Sequence, residues 1–140
     1  MPSRQISDCH PALQPLATQF LAQCKAAGLD VILTCTYRSG AEQNALCAQG
    51  RAASEHIVTN AKAGQSRHNT TLNGKPASTA FDFVPLDAAG QCIWNASNAD
   101  FKKAVAIGKS LGLEWAGDWR SFVEYVHFSL PTLPASVSAS

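Results

Sequence analysis

No stretch of this 140-residue sequence approaches the roughly 18 consecutive apolar residues that a bilayer-spanning helix needs. The segment from Met1 to Pro11 also lacks an apolar signal core, because Arg4, Asp8 and His10 interrupt it. The expectation is a protein made in the cytoplasm without membrane insertion. Charge is scarce as well: 11 basic against 10 acidic residues leave a formal net charge of +1. That balance removes any electrostatic case for nucleic acid or an anionic membrane surface as partner. The five cysteines (Cys9, Cys24, Cys35, Cys47 and Cys92) are odd in number and form no Cys-x-x-Cys pair. A fully paired disulfide framework is excluded on that count, and a cysteine-rich zinc site has no spacing to support it. Cys24 and Cys35 fall in apolar patterns and read as buried free thiols.

What is present suits one compact domain, expected over residues 1–134, with a flexible tail at 135–140. Leu13, Leu16, Ala17, Phe20, Leu21 and Cys24 recur at helical spacing, which predicts a helix from about Pro11 to Ala27 with Gly28 as its stop. Val31 to Thr36 is a β-branched run of strand length. Ser39-x-x-Glu42 matches a capping box opening a short helix to about Gln49, so Arg38 lies where a strand gives way to a helix. A short strand is possible at His56 to Thr59. Ala80 to Val84 alternates strictly, sending Phe81 and Phe83 to one face and Asp82 to the other. Ser97 or Asn98 can cap a third helix along Phe101, Ala104, Val105, Gly108 and Leu111. A strand-like run, Tyr125 to Leu130, closes the pattern. The whole reads as an α+β domain, a small antiparallel sheet with flanking helices.

Of the four histidines, His10 and His56 suggest no site, whereas His68 and His127 gain meaning from context. His68 follows the polar Gln65-Ser66-Arg67, and His127 lies in the apolar stretch Val126 to Phe128. Asp82 is the sole acid on an apolar strand, where an unpaired carboxylate is costly to bury without a cation, a metal or water. Two imidazoles and one carboxylate leave a fourth position open on zinc, the arrangement of catalytic rather than structural zinc sites. Against this stands the plain reading that each is a surface or satisfied core residue. Trp115, Trp119, Phe122 and Tyr125 read as core or cleft-wall aromatics, and Asp118 as a turn residue.

At these residues the chain resembles a family. Ser66-x-His68, Ala80-x-Asp82-Phe83 and Glu124-x-x-His127-Phe128 look like the signature of peptidoglycan peptidases related to the zinc D-Ala-D-Ala carboxypeptidases and dipeptidases, which share a Hedgehog-like fold. Tyr37-Arg38-Ser39 with Glu42-Gln43, the run Val58 to Ser66, and Trp115-Ala116-Gly117-Asp118-Trp119 resemble one branch, the L-alanyl-D-glutamate endopeptidases of bacteriophage endolysins. The resemblance spans about His10 to Leu130. It implies one zinc ion per chain on His68, Asp82 and His127, with Glu124 as general base toward the attacking water. It also implies Arg38 as partner of the developing oxyanion, and Ser66 and Gln43 as residues holding substrate.

Two departures from the family pattern stand out. The aspartate usually follows the histidine by seven residues, with a glycine four before it. Here the gap is fourteen, and Ser78 takes the glycine's place. The turn signal Asn73-Gly74 suggests an excursion that leads the chain out and back, loose rather than ribbon-like because Pro76 interrupts its ladder. The second departure is Glu124, where this branch more often has aspartate and the dipeptidases have glutamate. The resemblance thus implies a monomeric enzyme that hydrolyses the peptidoglycan stem at L-Ala–D-Glu, reaching the wall once the inner membrane is breached in host lysis. Two rivals stand beside it: a D-Ala-D-Ala carboxypeptidase or dipeptidase, and a zinc-stabilised module that binds wall peptides without cutting them.

Overall fold

The structure, a computed structural model, describes residues 2–42, 66–120, 123–135 and 137–139. The first helix, α1 (Gln14–Ala26), carries Pro in its first turn and buries Ala17, Phe20 and Cys24 on one side. It begins three residues later than the apolar spacing predicts. His10 accounts for the delay: its Nδ1 accepts from the Ala12 N–H at 2.9 Å, and its carbonyl accepts from Leu13 and Gln14. The approach to α1 is thus a turn fastened by a histidine that belongs to no site.

Strand β1 (Asp30–Cys35) follows, and β4 (Ala80–Leu86) pairs with it antiparallel. The helix α2 (Ala99–Ser110) is capped by Asn98, whose side chain accepts from the N–H groups of Asp100 and Phe101. The short strands β5 (Glu114–Trp115) and β6 (His127–Ser129) complete a four-stranded antiparallel sheet in the order β1-β4-β6-β5. The α+β architecture with helices against a small antiparallel sheet is the expected one. Among the described residues, no helix is long and apolar enough to cross a membrane.

Alternation along β4 and β6 divides the molecule into a core face and a site face. Phe81 and Phe83 from β4 meet Phe128 from β6, Phe20 from α1 and Phe101 from α2, all fully buried. Ring centroids lie 5.0 to 5.8 Å apart among Phe20, Phe81, Phe83 and Phe128, within the range favoured by aromatic pairs. Gly108 lets α2 approach this cluster, since a Cβ there would lie 2.2 Å from the Phe128 ring. Gly108→Ala is therefore expected to destabilise the fold by about 1–3 kcal/mol, the usual cost of overpacking a filled core. Thermal unfolding checks this; an unchanged or raised melting temperature would show that the helix can back away freely.

A second, smaller sheet leaves the first between His68 and Asp82. Strands β2 (Thr70–Leu72) and β3 (Lys75–Pro76) form a hairpin around Asn73 and Gly74. Both turn residues adopt positive φ, 54° and 77°, as a two-residue hairpin turn requires. The excursion is thus a regular ribbon and not the loose loop expected from Pro76. Proline is accommodated because β3 is an edge strand among the described residues, where a position without an N–H interrupts no ladder. The segment beyond Pro134, expected as a flexible tail, contributes the third strand, β7 (Val137–Ala139), which runs antiparallel beside β2.

Candidate active site

The register of the main sheet places Asp82 directly opposite His127, so both side chains leave the same face. Their neighbours Phe81 and Phe128, also opposite each other, point into the core. His68 arrives from a different element, a single 3-10 turn at Arg67–Asn69. Ser66 caps this turn: its hydroxyl oxygen accepts from the His68 N–H at 3.1 Å, while Asn69 Oδ1 accepts from the Ser66 N–H. Arg67 ties the turn to the sheet by donating to Thr79 Oγ1 at 2.9 Å and to the Leu130 carbonyl at 2.8 Å. The hairpin after Asn69 therefore leads away and returns without displacing the turn.

The three side chains converge on one another. His68 Nε2 lies 3.1 Å from Asp82 Oδ1, His127 Nδ1 lies 3.2 Å from the same oxygen, and the two nitrogens are 3.2 Å apart. Both imidazoles are buried, and the Asp82 side chain is 16% exposed. His68 Nδ1 donates to the Thr36 carbonyl at 2.7 Å, which leaves the lone pair of the neutral ring on Nε2. Without a shared cation, that lone pair would face the Asp82 carboxylate. Burial opposes charge on both groups, yet their mutual attraction prevails: Asp82 is held well below the usual carboxylate range and His68 is pushed up to about 10. The cluster thus draws in positive charge, either a proton or a metal ion.

Its geometry suits the metal. Zinc–nitrogen and zinc–oxygen bonds of about 2.0–2.1 Å in a tetrahedron set neighbouring ligand atoms about 3.3 Å apart, close to the three separations found. The carbonyl behind His68 supplies the outer hydrogen bond that ligand histidines ordinarily make. His68, Asp82 and His127 could hold one metal ion and leave a further coordination position open.

Two charged groups border this cluster. Glu124 Oε2 lies 3.4 Å from His127 Nδ1, and its side chain, 37% exposed, is the open member of the group. Arg38 Nη2 lies 3.8 Å from Asp82 Oδ2, with the Arg38 side chain only 11% exposed. Arg38 occupies the predicted junction: Ser39 and Glu42 exchange the reciprocal hydrogen bonds of a capping box just behind it. Its backbone is joined to the His68 turn twice, through Arg38 N–H to the His68 carbonyl and through Asn69 Nδ2 to the Arg38 carbonyl. The structure therefore brings together His68, Asp82, His127, Glu124 and Arg38, and gives the Ser66 hydroxyl the task of capping the His68 turn. Gln43, expected to hold substrate, the remainder of its helix and the strand expected at His56 to Thr59 lie outside the described residues.

Asn69, Arg67 and Cys35 escaped the sequence pattern. Asn69 and Arg67 carry no periodic signal, and polar residues in such a stretch read as surface. Cys35 is buried as expected, but it faces the site and not the apolar core. Its sulfur lies within 4.8 Å of donor atoms of His68 and Asp82. It approaches His68 from the Nδ1 side, at 3.7 Å, where Thr36 already accepts the proton, and so stands behind the imidazole and outside the convergent trio.

The chain is similar to several known proteins. The model of a family described as D-alanyl-D-alanine carboxypeptidase matches residues 59–130. The chain is 36% identical over 131 residues to the peptidoglycan L-alanyl-D-glutamate endopeptidase CwlK of Bacillus subtilis, covering 89% of this chain and 74% of that protein. It is 34% identical over 113 residues to the L-alanyl-D-glutamate peptidase of Listeria phage A118, covering 79% of this chain but only 34% of the phage protein. Among solved structures, the L-Ala D-Glu endopeptidase ChiX of Serratia marcescens superposes with a TM-score of 0.63 at 20% identity, over 93% of this chain and 88% of that one. The LD-carboxypeptidase LdcB superposes with a TM-score of 0.60 at 17% identity, over 87% of this chain and 58% of that one. At such identities the two structures attest to the fold alone. Taken with the sequence matches, fold and cluster define an enzyme that is a peptidase. The chain belongs to the D-alanyl-D-alanine carboxypeptidase family.

Proposed function

We propose that this peptidase hydrolyses the L-Ala–D-Glu bond of the peptidoglycan stem, using one zinc ion held by His68, Asp82 and His127. The observation that carries the reading is the convergence of His68 Nε2, His127 Nδ1 and Asp82 Oδ1 at about a tetrahedral edge length, with Glu124 on the open side. The names of the two sequence relatives supply the bond. When bound, zinc lowers the pKa of water to about 7 and polarises a carbonyl.

The chain's own residues supply the rest. Glu124, exposed beside the cluster, takes the proton from the attacking water and returns it to the leaving amine. Arg38, largely buried against Asp82, faces the negative charge that builds on the carbonyl oxygen. The Thr36 carbonyl keeps the His68 proton on Nδ1, so that Nε2 faces inward. Ser66 and Gln43 are the residues the family resemblance assigns to holding substrate, and the Ser66 hydroxyl also caps the His68 turn. The phage relative supports a role in host lysis, with the enzyme acting as a monomer on the wall once the membrane is breached.

Mass spectrometry of fragments from purified peptidoglycan tests the proposal directly. Cleavage at L-Ala–D-Glu exposes new glutamate amino termini, and that is the expected result. Release of free D-alanine instead would establish a D,D-carboxypeptidase, which the family description and Glu124 favour. Wall binding without any new terminus would make the chain a binding module.

A further inference from the structure

Along β1 and β4 the register runs Val31 to Pro85, Ile32 to Val84 and Leu33 to Phe83, then jumps to Cys35 opposite Asp82. Thr34 is the extra residue of a β-bulge. In an unbroken ladder Thr34 would stand opposite Asp82 and Cys35 opposite Phe81, on the core face. Bulges re-aim side chains in this way beside functional sites. Here the bulge turns the Cys35 thiol out of the phenylalanine core and onto the face that carries Asp82 and His127.

In that position the sulfur accepts from Arg38 Nη2 at 3.5 Å, and the same nitrogen lies 3.8 Å from Asp82 Oδ2. The thiol's own proton points toward the Thr36 carbonyl at 3.9 Å, the acceptor that also orients His68. Arginine carries a long side chain with much rotamer freedom, and a second anchor on Nη2 removes part of it. Alanine at 35 would remove the sulfur contact of Nη2, the atom that also faces the Asp82 carboxylate. Serine would fall short, because its oxygen sits closer to Cβ than sulfur does.

We propose that Cys35 is a positioning residue for Arg38: its sulfur holds the guanidinium against Asp82 before substrate arrives. The proposal rests on the catalytic role given to Arg38 above. Cys35→Ala and Cys35→Ser are made both in the parent protein and in Arg38→Ala, and each protein is loaded with zinc and assayed on peptidoglycan fragments. In the parent background each replacement is expected to lower kcat by about tenfold, the effect of losing one hydrogen bond to a charged group, with KM nearly unchanged. Zinc content and melting temperature should stay at the parent's values. In the Arg38→Ala background the same replacements should change kcat by less than about twofold, because the partner is already gone. Equal losses in both backgrounds, or loss of zinc, would overturn the assignment.

A second readout needs no activity. Iodoacetamide labelling, followed peptide by peptide in the mass spectrometer, should quicken at Cys35 in Arg38→Ala and remain unchanged at the buried Cys9 and Cys24. Unchanged labelling of Cys35 would show that the guanidinium does not cover the sulfur. A parent protein that cleaves no stem peptide would remove the proposed function, while the labelling would still decide the contact.

Discussion

Glu124→Gln is expected to lower turnover on peptidoglycan by ~10²–10⁴-fold, the usual contribution of a positioned general base, with metal content unchanged. Glutamine keeps the shape and the hydrogen-bonding reach of glutamate but cannot take up the proton of the attacking water. The position of the side chain makes the separation clean. Its oxygen stands 3.4 Å from a cluster atom while more than a third of the side chain remains in solvent. Glu124 can therefore lose its charge without unpacking a core residue, and stability should barely move. Glu124→Asp should restore part of the activity, because the branch this chain resembles often carries the shorter acid. Turnover by Glu124→Gln at the parent's rate, measured as new amino termini at equal metal content, would remove Glu124 from the mechanism.

Loss of the metal should follow from any of three replacements: His68→Ala, Asp82→Ala or His127→Ala. Each removes one of three convergent donor atoms, so zinc should fall from about one per chain to a small fraction of that, and activity with it. Full zinc in all three variants would refute the assignment. The metal-free protein adds a pH dependence whose sign is fixed. His68 is pushed up to about 10 by Asp82, against the opposing effect of burial, so at neutral pH the empty cluster holds a proton that the metal must expel. Affinity should then weaken by about tenfold for each unit of pH below that value, the linkage expected for one competing proton. At pH 6, calorimetry in buffers of different ionisation enthalpy should register about one proton released per zinc. Binding without proton release would show that the cluster does not hold the ion.

Much of this arrangement was legible in the residues themselves. The alternation in Ala80 to Val84 assigns Phe81 and Phe83 to one face and Asp82 to the other, and β4 follows it. The spacing from Phe101 to Leu111 with Asn98 ahead of it describes α2 and its cap. His68, Asp82 and His127 stood out because polar residues in apolar or turn-like surroundings are costly to leave unpaired, and the family resemblance implied that they form one ligand set. The rest depends on interactions that local pattern does not encode. Cys35 shares the parity of Leu33, so only the bulge at Thr34, a property of strand pairing, turns it toward the site. Pro76 argues against a ribbon only if its strand is internal, and edge status depends on what lies alongside. Likewise Val137–Ala139 becomes a strand through its partner β2, since one β-branched residue in three is too short a signal to mark a strand by itself.

Because Asp82 and His127 share a register with Phe81 and Phe128, chemistry and core are read from the same strands in a common spatial frame. A single-residue deletion inside β4 would act there as a frameshift does in a gene, sending Asp82 toward the core and a phenylalanine toward the catalytic face. The facing of Asp82 and His127 should accordingly persist for as long as β4 and β6 stay paired, and be lost with the core as temperature rises.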